Sequence, residues 1–392
     1  MKRDTPYAGS RRDLFRTVGA GIVATGLSTL PTNLSAQGAP QDGLMPPKER
    51  PLPPSERVGY AIVGLGEYGT QQIIPSFAEC GKSRLAAVVS GTPEKAQRIA
   101  REYGVPQAAI YDYKTMERLK DNPDVQVIYV ILPNALHLEY TVRAARIGKH
   151  VLCEKPMATS VKDAETMIHE CAKAGRKLMI GYRAQYEPYN LKSIELARGG
   201  TLGKLKSIVA DHGRTLNPAE PRDIWRAKKA LAGGGSLMDI GIYSLNACRY
   251  LTGEEPVSLQ ATQYSTPGDP RFAEVEETIH FMLRFPSGVL ANCTASYGWQ
   301  ETKRYQVFGD KMALELDPAT DYYEHRLTLT DKQGRKDIQV DKGNQFARML
   351  DHFSDCVKNN KTPKTPGEEG LRDLKLMLAI YEAAKTGRTL RV

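Results

Sequence analysis

The chain has 392 residues, 41% hydrophobic and 25% charged, with a formal net charge of +9. That length suggests about two domains of ordinary globular composition. No run of 18 apolar residues argues for a membrane span, and the scattered Lys and Arg do not form a nucleic-acid surface.

In chain order, residues 1–36 read as a targeting peptide. Ser10-Arg11-Arg12-Asp13-Leu14-Phe15-Arg16 has the form of a twin-arginine export signal. A mildly apolar stretch from Thr17 to Leu30 follows, and Leu34-Ser35-Ala36 offers a cleavage site. The expectation is a periplasmic protein exported already folded, its nucleotide acquired beforehand in the cytoplasm. Residues 37–56 carry Pro40, Pro46, Pro47, Pro51, Pro53 and Pro54. They read as an extended segment, either a passive spacer or an arm on a neighbouring subunit.

From Val58 the pattern alternates. Apolar, β-favouring runs at 58–63, 85–90, 127–132, 150–153 and 177–181 are separated by helix-compatible stretches at 70–80, 93–103, 114–120, 135–147 and 161–174. Such alternation predicts an α/β domain over 57–180, a Rossmann-type doubly wound parallel sheet. After Gly181 the spacing shortens. Eight runs between 207 and 340 alternate polar and apolar residues. They predict an α+β domain over 181–365 with a large, mainly antiparallel open sheet. Helices are expected at 187–198, 235–251, 344–359 and 368–386, with the segment 366–392 packing back on the first domain. The proline arm and the open sheet each offer surface to a partner, so a homo-oligomer, dimer or tetramer, is expected.

The first run, Tyr60-Ala61-Ile62-Val63, leads straight into Gly64-Leu65-Gly66-Glu67-Tyr68-Gly69. A strand, a Gly-x-Gly-x-x-Gly turn and a helix together form the dinucleotide fingerprint. Gly64 permits the tight turn, Gly66 lets backbone approach a pyrophosphate, and Gly69 lets helix and strand pack closely. The helix N-terminus then holds the phosphates. Strand two ends in Ser90, where an NAD-preferring fold carries an acid that bonds the ribose 2′-OH. With Lys95 one turn into the next helix, this favours NADP. The bland alternative makes Ser90 a cap and Lys95 a solvated residue.

Two further stretches carry chemistry. Cys153-Glu154-Lys155-Pro156 follows a strand at the edge where substrate meets nicotinamide in such sheets. A lysine there can orient a hydroxyl and favour ionisation of a neighbouring acid. In Gly233-Gly234-Gly235-Ser236-Leu237-Met238-Asp239-Ile240-Gly241-Ile242-Tyr243, Asp239 and Tyr243 lie four apart and share one helical face. Tyr243 can exchange a proton with a sugar hydroxyl. Taken singly, Glu-Lys-Pro is a polar turn, Tyr243 a core aromatic and Asp239 a surface charge. The six cysteines show neither Cys-x-x-Cys nor zinc-type His spacing, so no metal is expected.

Together these stretches, with Tyr111-Asp112-Tyr113, Pro133-Asn134-Ala135-Leu136-His137 and Gly181-Tyr182-Arg183-Ala184-Gln185-Tyr186-Glu187-Pro188, resemble the glucose–fructose oxidoreductase / inositol dehydrogenase (Gfo/Idh/MocA) family. The resemblance runs from about Gly59 onward and is strongest to its periplasmic glucose–fructose oxidoreductase branch. It implies a tightly held NADP reduced by one sugar and reoxidised by another. It also implies Lys155 and Tyr243 as proton relay, with Asp239 beside the sugar. Leu132, Pro133, Asn134, His137, Tyr113 and Glu154 are then expected at the cofactor, and Tyr68 packed beside its phosphates. Arg183 is expected at cofactor or substrate, or else in a structural ion pair. Tyr186, Trp225 and Arg226 are expected at the substrate, with core packing the alternative for Trp225. A nucleotide-dependent glycosidase would need an acid and a base at two ring carbons, and near 213–245 only His212 is available. A non-catalytic NADP-binding module would have no use for Lys155, Asp239 and Tyr243 together.

Overall fold

A computed structural model describes residues 51–392. The export motif and most of the proline arm lie outside the described residues. The end of the arm is seen. Leu52 N–H donates to Gly81 O (2.8 Å), and Arg57 Nε donates to Leu52 O (2.8 Å).

Six parallel strands form the first sheet, in order β3-β2-β1-β4-β5-β6. They are β1 Val58–Val63, β2 Ser83–Val89, β3 Ile110–Tyr111, β4 Val127–Val130, β5 His150–Glu154 and β6 Leu178–Gly181. All six residues of β1 are buried, which explains its unbroken apolar run: helices cover both faces of such a sheet. Helices α1 Pro93–Tyr103, α2 His137–Arg146 and α3 Val161–Lys173 connect the strands. The strand order reverses between β1 and β4, so the crevice at their C-terminal ends is the place where this architecture binds ligands.

The fingerprint turn departs from the expected regular helix. Residues Gly69–Ile73 form a π turn, Ile74–Ser76 a single α turn and Phe77–Glu79 a 3-10 turn. Pro75 has no N–H to continue an α ladder, and Ile74 N–H reaches back to Gly69 O. The expected helix at 114–120 is likewise a 3-10 segment, Met116–Asp121.

The second sheet has nine strands in order β14-β13-β12-β11-β7-β10-β9-β8-β15. They are β7 Leu205–Gly213, β8 Ser258–Tyr264, β9 Thr278–Arg284, β10 Leu290–Ser296, β11 Thr302–Gly309, β12 Ala313–Leu316, β13 Leu327–Asp331, β14 Gly334–Ile338 and β15 Leu390–Arg391. Its pairings are antiparallel except β7 with β10. Along β7, Ile208, Ala210 and His212 are buried while Val209 and Asp211 are partly exposed. One face therefore packs under helices α4 Pro188–Arg198 and α5 Ile242–Thr252. The other face carries Leu290, Ser207 and Phe308 in one register row, with Leu290 and Phe308 exposed.

The last two helices bind the sheets together. On α6, Gln345–Lys358, the residues Phe346, Met349, Leu350 and Phe353 join Tyr60, Ile62 and Tyr129 in one core cluster. Helix α7, Gly367–Thr386, packs on α3, β6 and β8. The chain pairs with the edge of β6 just before α7, where Ile180 N–H donates to Thr365 O (2.8 Å). Among the described residues, no helix is long and apolar enough to cross a membrane.

Candidate active site

The fingerprint turn is closely packed on its inner side. Gly64 has φ +99°, and a Cβ there would lie 2.1 Å from Ile131 O, so only glycine fits. At Gly66 a Cβ would meet nothing within 4 Å. The loop is thus open outward at the C-terminal edge of the sheet, a cradle that suits a pyrophosphate.

At the adenosine end, Ser90 is buried and its Oγ accepts from Thr92 N–H (3.1 Å). The hydroxyl closes a local turn two residues long, and Thr92, not Ser90, is the N-cap of α1. The Tyr113 ring lies against Gly91, where a Cβ would come within 2.9 Å of it, and Lys95 is exposed at the start of α1.

The chemical group forms where β5 meets the triple glycine. Gly233, with φ +80°, ends the short helix Lys229–Ala232. The buried Glu276 carboxylate then caps the next helix start, accepting from Gly235 N–H (2.7 Å) and Leu237 N–H (2.9 Å). Residues Leu237–Gly241 form a π turn that runs into α5. This places Asp239 and Tyr243 against Lys155. Lys155 Nζ donates to Asp239 O (2.6 Å), lies 3.9 Å from Asp239 Oδ1, and sits 4.5 Å from the Tyr243 ring centre.

Asp239 is tied on its other side. Its Oδ2 accepts from Arg226 Nε and from Tyr297 Oη, both at 2.9 Å, with Arg214 Nη2 at 3.5 Å. Burial alone would raise the Asp239 carboxyl, but Arg226, Lys155 and Arg214 outweigh it and hold the group well below the usual carboxylate range. Arg214 in turn grips buried Asp223 through two bonds of 2.9 and 2.8 Å. Trp225 is half-buried with the Arg226 guanidinium 4.5 Å above its ring.

Tyr243 stands among three flat or charged neighbours. His212 stacks on it at 5.2 Å, Lys155 lies on its ring, and the Arg183 guanidinium is 4.9 Å from the ring centre. Burial first, then Lys303, Lys155 and Arg183, push His212 well below its ordinary value, so it stays neutral. Its Nδ1 is 3.3 Å from Thr320 Oγ1. Two small pockets both reach Tyr243, Tyr305 and Thr320.

Several residues stand elsewhere than expected. Tyr186 is not at the substrate: it is buried, its ring against His352 and its Oη against Met179 Sδ and Thr365 Oγ1. Arg183 is not free to reach a cofactor. Its guanidinium donates to Thr320 O (2.6 Å), Asp321 O (3.1 Å) and Gln345 Oε1 (2.8 Å), because the carbonyls of that turn need donors. Its face touches Tyr243 instead. Tyr68 turns inward rather than toward the phosphates. Its ring packs on Tyr322 and Phe346, and burial, then the Glu154 carboxylate, raise its hydroxyl.

The other expected cofactor residues brace the turns around the site. Asn134 Nδ2 donates to Ala232 O (2.8 Å), fixing the turn before the triple glycine. His137 has Nδ1 2.9 Å from Pro156 O and Nε2 2.8 Å from Leu132 O. Burial pushes it down to about 4, and the neutral ring, with one N–H, donates to one of these two carbonyls. Glu154 Oε1 accepts from Tyr129 Oη behind Lys155. Arg214, Tyr297 and Glu276 complete the site from distant strands and loops, and no motif announces them.

Comparison with known proteins agrees with this geometry. Residues 58–182 match the oxidoreductase family's NAD-binding Rossmann fold, and residues 194–392 match its C-terminal alpha/beta domain. The chain is a member of the Gfo/Idh/MocA oxidoreductase family. It is 32% identical to an NADP(+)-dependent D-xylose 1-dehydrogenase from Haloarcula marismortui, over 86% of this chain and 93% of that one. It is 27% identical to a myo-inositol 2-dehydrogenase from Thermotoga maritima, over 86% and 98%. Among solved structures, the aldose–aldose oxidoreductase from Caulobacter crescentus, complexed with glycerol, superposes with a TM-score of 0.83. The two share 51% identity, over 86% of this chain and all of that one.

Proposed function

We propose that this protein is an NADP-dependent sugar oxidoreductase that oxidises an aldose to its lactone and reduces a second sugar without releasing its nucleotide. The observation that carries the reading is the convergence of Lys155, Asp239 and Tyr243 at the C-terminal edge of the parallel sheet. When bound, NADP supplies the nicotinamide that accepts and returns the hydride. Gly64, Gly66 and Gly69 form its pyrophosphate cradle, and Tyr113 walls the adenosine end beside Gly91. Ser90 serves NADP by what it lacks: no carboxylate stands there to repel a 2′-phosphate.

The chain's own groups handle the proton. Tyr243 Oη exchanges it with the reacting sugar oxygen. Lys155 Nζ, held by the Asp239 carbonyl, presents positive charge beside the phenol and the developing alkoxide. The neutral His212 ring fixes the tyrosine plane. Trp225 and Arg226 stand on the second lobe's side of Asp239 and would wall the sugar. The experiment is to release the bound nucleotide with acid, then offer aldoses and ketoses to the untreated protein. NADP in the extract, reduced by one sugar and reoxidised by another, supports the reading. NAD in its place, or inertness to every sugar, sinks it.

The export motif supports delivery of the folded protein to the periplasm, and the exposed Leu290–Phe308 row supports a homo-oligomer joined through the open sheet face. A monomer by light scattering would contradict the latter.

A further inference from the structure

The fingerprint loop contains one charged side chain, and it has the wrong sign for its ligand. Glu67 follows Gly66 directly and is exposed, beside the position where a Cβ would meet nothing within 4 Å. A carboxylate there opposes a diphosphate. Its partner comes from the other lobe: Arg222, on the short helix Pro221–Ile224, donates Nη1 to Glu67 Oε1 at 2.8 Å. The two residues are 155 apart in sequence.

The segment that presents Arg222 is anchored. Next to it, Asp223 accepts both Arg214 bonds and Asn217 N–H (3.0 Å). Arg226, which bonds Asp239, also donates to Arg222 O. The backbone carrying Arg222 is therefore tied, through Arg226, to Asp239, whose backbone oxygen holds Lys155. The side chains of Arg222 and Glu67 are 51% and 40% exposed, and such pairs contribute little to folding. The fold alone gives no reason for an acid in this loop and a cation reaching across the cleft to it.

We propose that Arg222 is a cofactor-binding residue supplied by the second lobe: it neutralises Glu67 and brings a guanidinium to the pyrophosphate end of the nucleotide. Retention of the nucleotide then depends on both lobes. The inference rests on the NADP reading and deepens it, since a protein that works two sugars on one nucleotide needs slow release.

The test measures release and needs no turnover. Wild-type, Arg222→Gln and Glu67→Gln proteins are loaded with NADPH. Loss of protein-bound nicotinamide fluorescence is then followed during a chase with excess NADP. Arg222→Gln should release NADPH at least about tenfold faster, the scale of one charge-assisted contact. Glu67→Gln should hold it as long as wild type or longer, because the repulsion goes and Arg222 stays. Release at the wild-type rate from Arg222→Gln overturns the proposal. Equally fast release from both variants also overturns it, making the pair a mechanical tie between lobes. A wild-type protein that binds no NADPH refutes the NADP reading itself, and this inference with it, before any variant is made.

Discussion

Asp239 shows how much one side chain organises. Its carboxylate is shared by Arg226, Tyr297 and Arg214, and its backbone oxygen holds Lys155. It is a positioning residue for Lys155 and the anchor of the second lobe's cationic turn. Asp239→Asn leaves three cations around a neutral amide. Breaking a buried charge network in this way costs about 3–5 kcal/mol, while the backbone oxygen that holds Lys155 stays in place. The expected result is a lower unfolding midpoint and weaker sugar saturation, with nucleotide still bound. An Asp239→Asn protein with unaltered sugar saturation would show the carboxylate to be structural only.

At the scale of elements, α5 and α7 are joined by an ionic cluster that sequence spacing does not reveal. Arg249 on α5 donates to Glu369 (2.7 Å) and Asp373 (2.5 Å) on α7, and to Glu255 (2.6 and 2.7 Å). Burial pushes Asp373 up to about 6, against the pull of Arg249. Arg249→Met removes the cation and leaves Glu369 and Asp373 facing each other, a loss of about 3–5 kcal/mol. Without the cation, Asp373 takes up a proton still more readily in the folded state than in the unfolded chain. The sign follows: stability of the variant should recover as pH falls through 6 toward 4. Urea unfolding of both proteins at pH 7.5 and pH 5, values chosen to bracket that range (about 6 and below), checks this. An Arg249→Met protein as stable as wild type at the higher pH contradicts it.

The same scale shows what the sequence made legible. Strands with long apolar or alternating runs were readable, because one or both faces are buried. The two-residue strands β3 and β15 were not, since two residues carry no period. The π turns at Gly69–Ile73 and Leu237–Gly241 carry the same sequence pattern as regular helix, because propensity does not report the extra residue in a turn. Lys155, Asp239 and Tyr243 were legible from their motifs. Arg214 and Tyr297 lie on segments whose approach to Asp239 only the second sheet creates. Tyr186 shows the limit of a motif, since a tyrosine in one gives no sign of whether its hydroxyl faces a ligand or, as here, Thr365.

At the scale of the whole molecule, two lobes meet over one crevice, and the C-terminal helices lock them. Arg11→Lys with Arg12→Lys should leave loaded protein in the cytoplasm, scored by fractionation and acid release of nucleotide. Normal periplasmic accumulation of that variant would contradict the export reading. The central claim is narrower: Tyr243 moves the proton while the crevice keeps the nucleotide. Tyr243→Phe removes one oxygen and leaves the ring between His212, Lys155 and Arg183. The deciding measurement is single-turnover absorbance of the bound nicotinamide after mixing with aldose. The account predicts reduction slowed about 10²–10⁴-fold with the nucleotide retained, and reduction at the wild-type rate would contradict it.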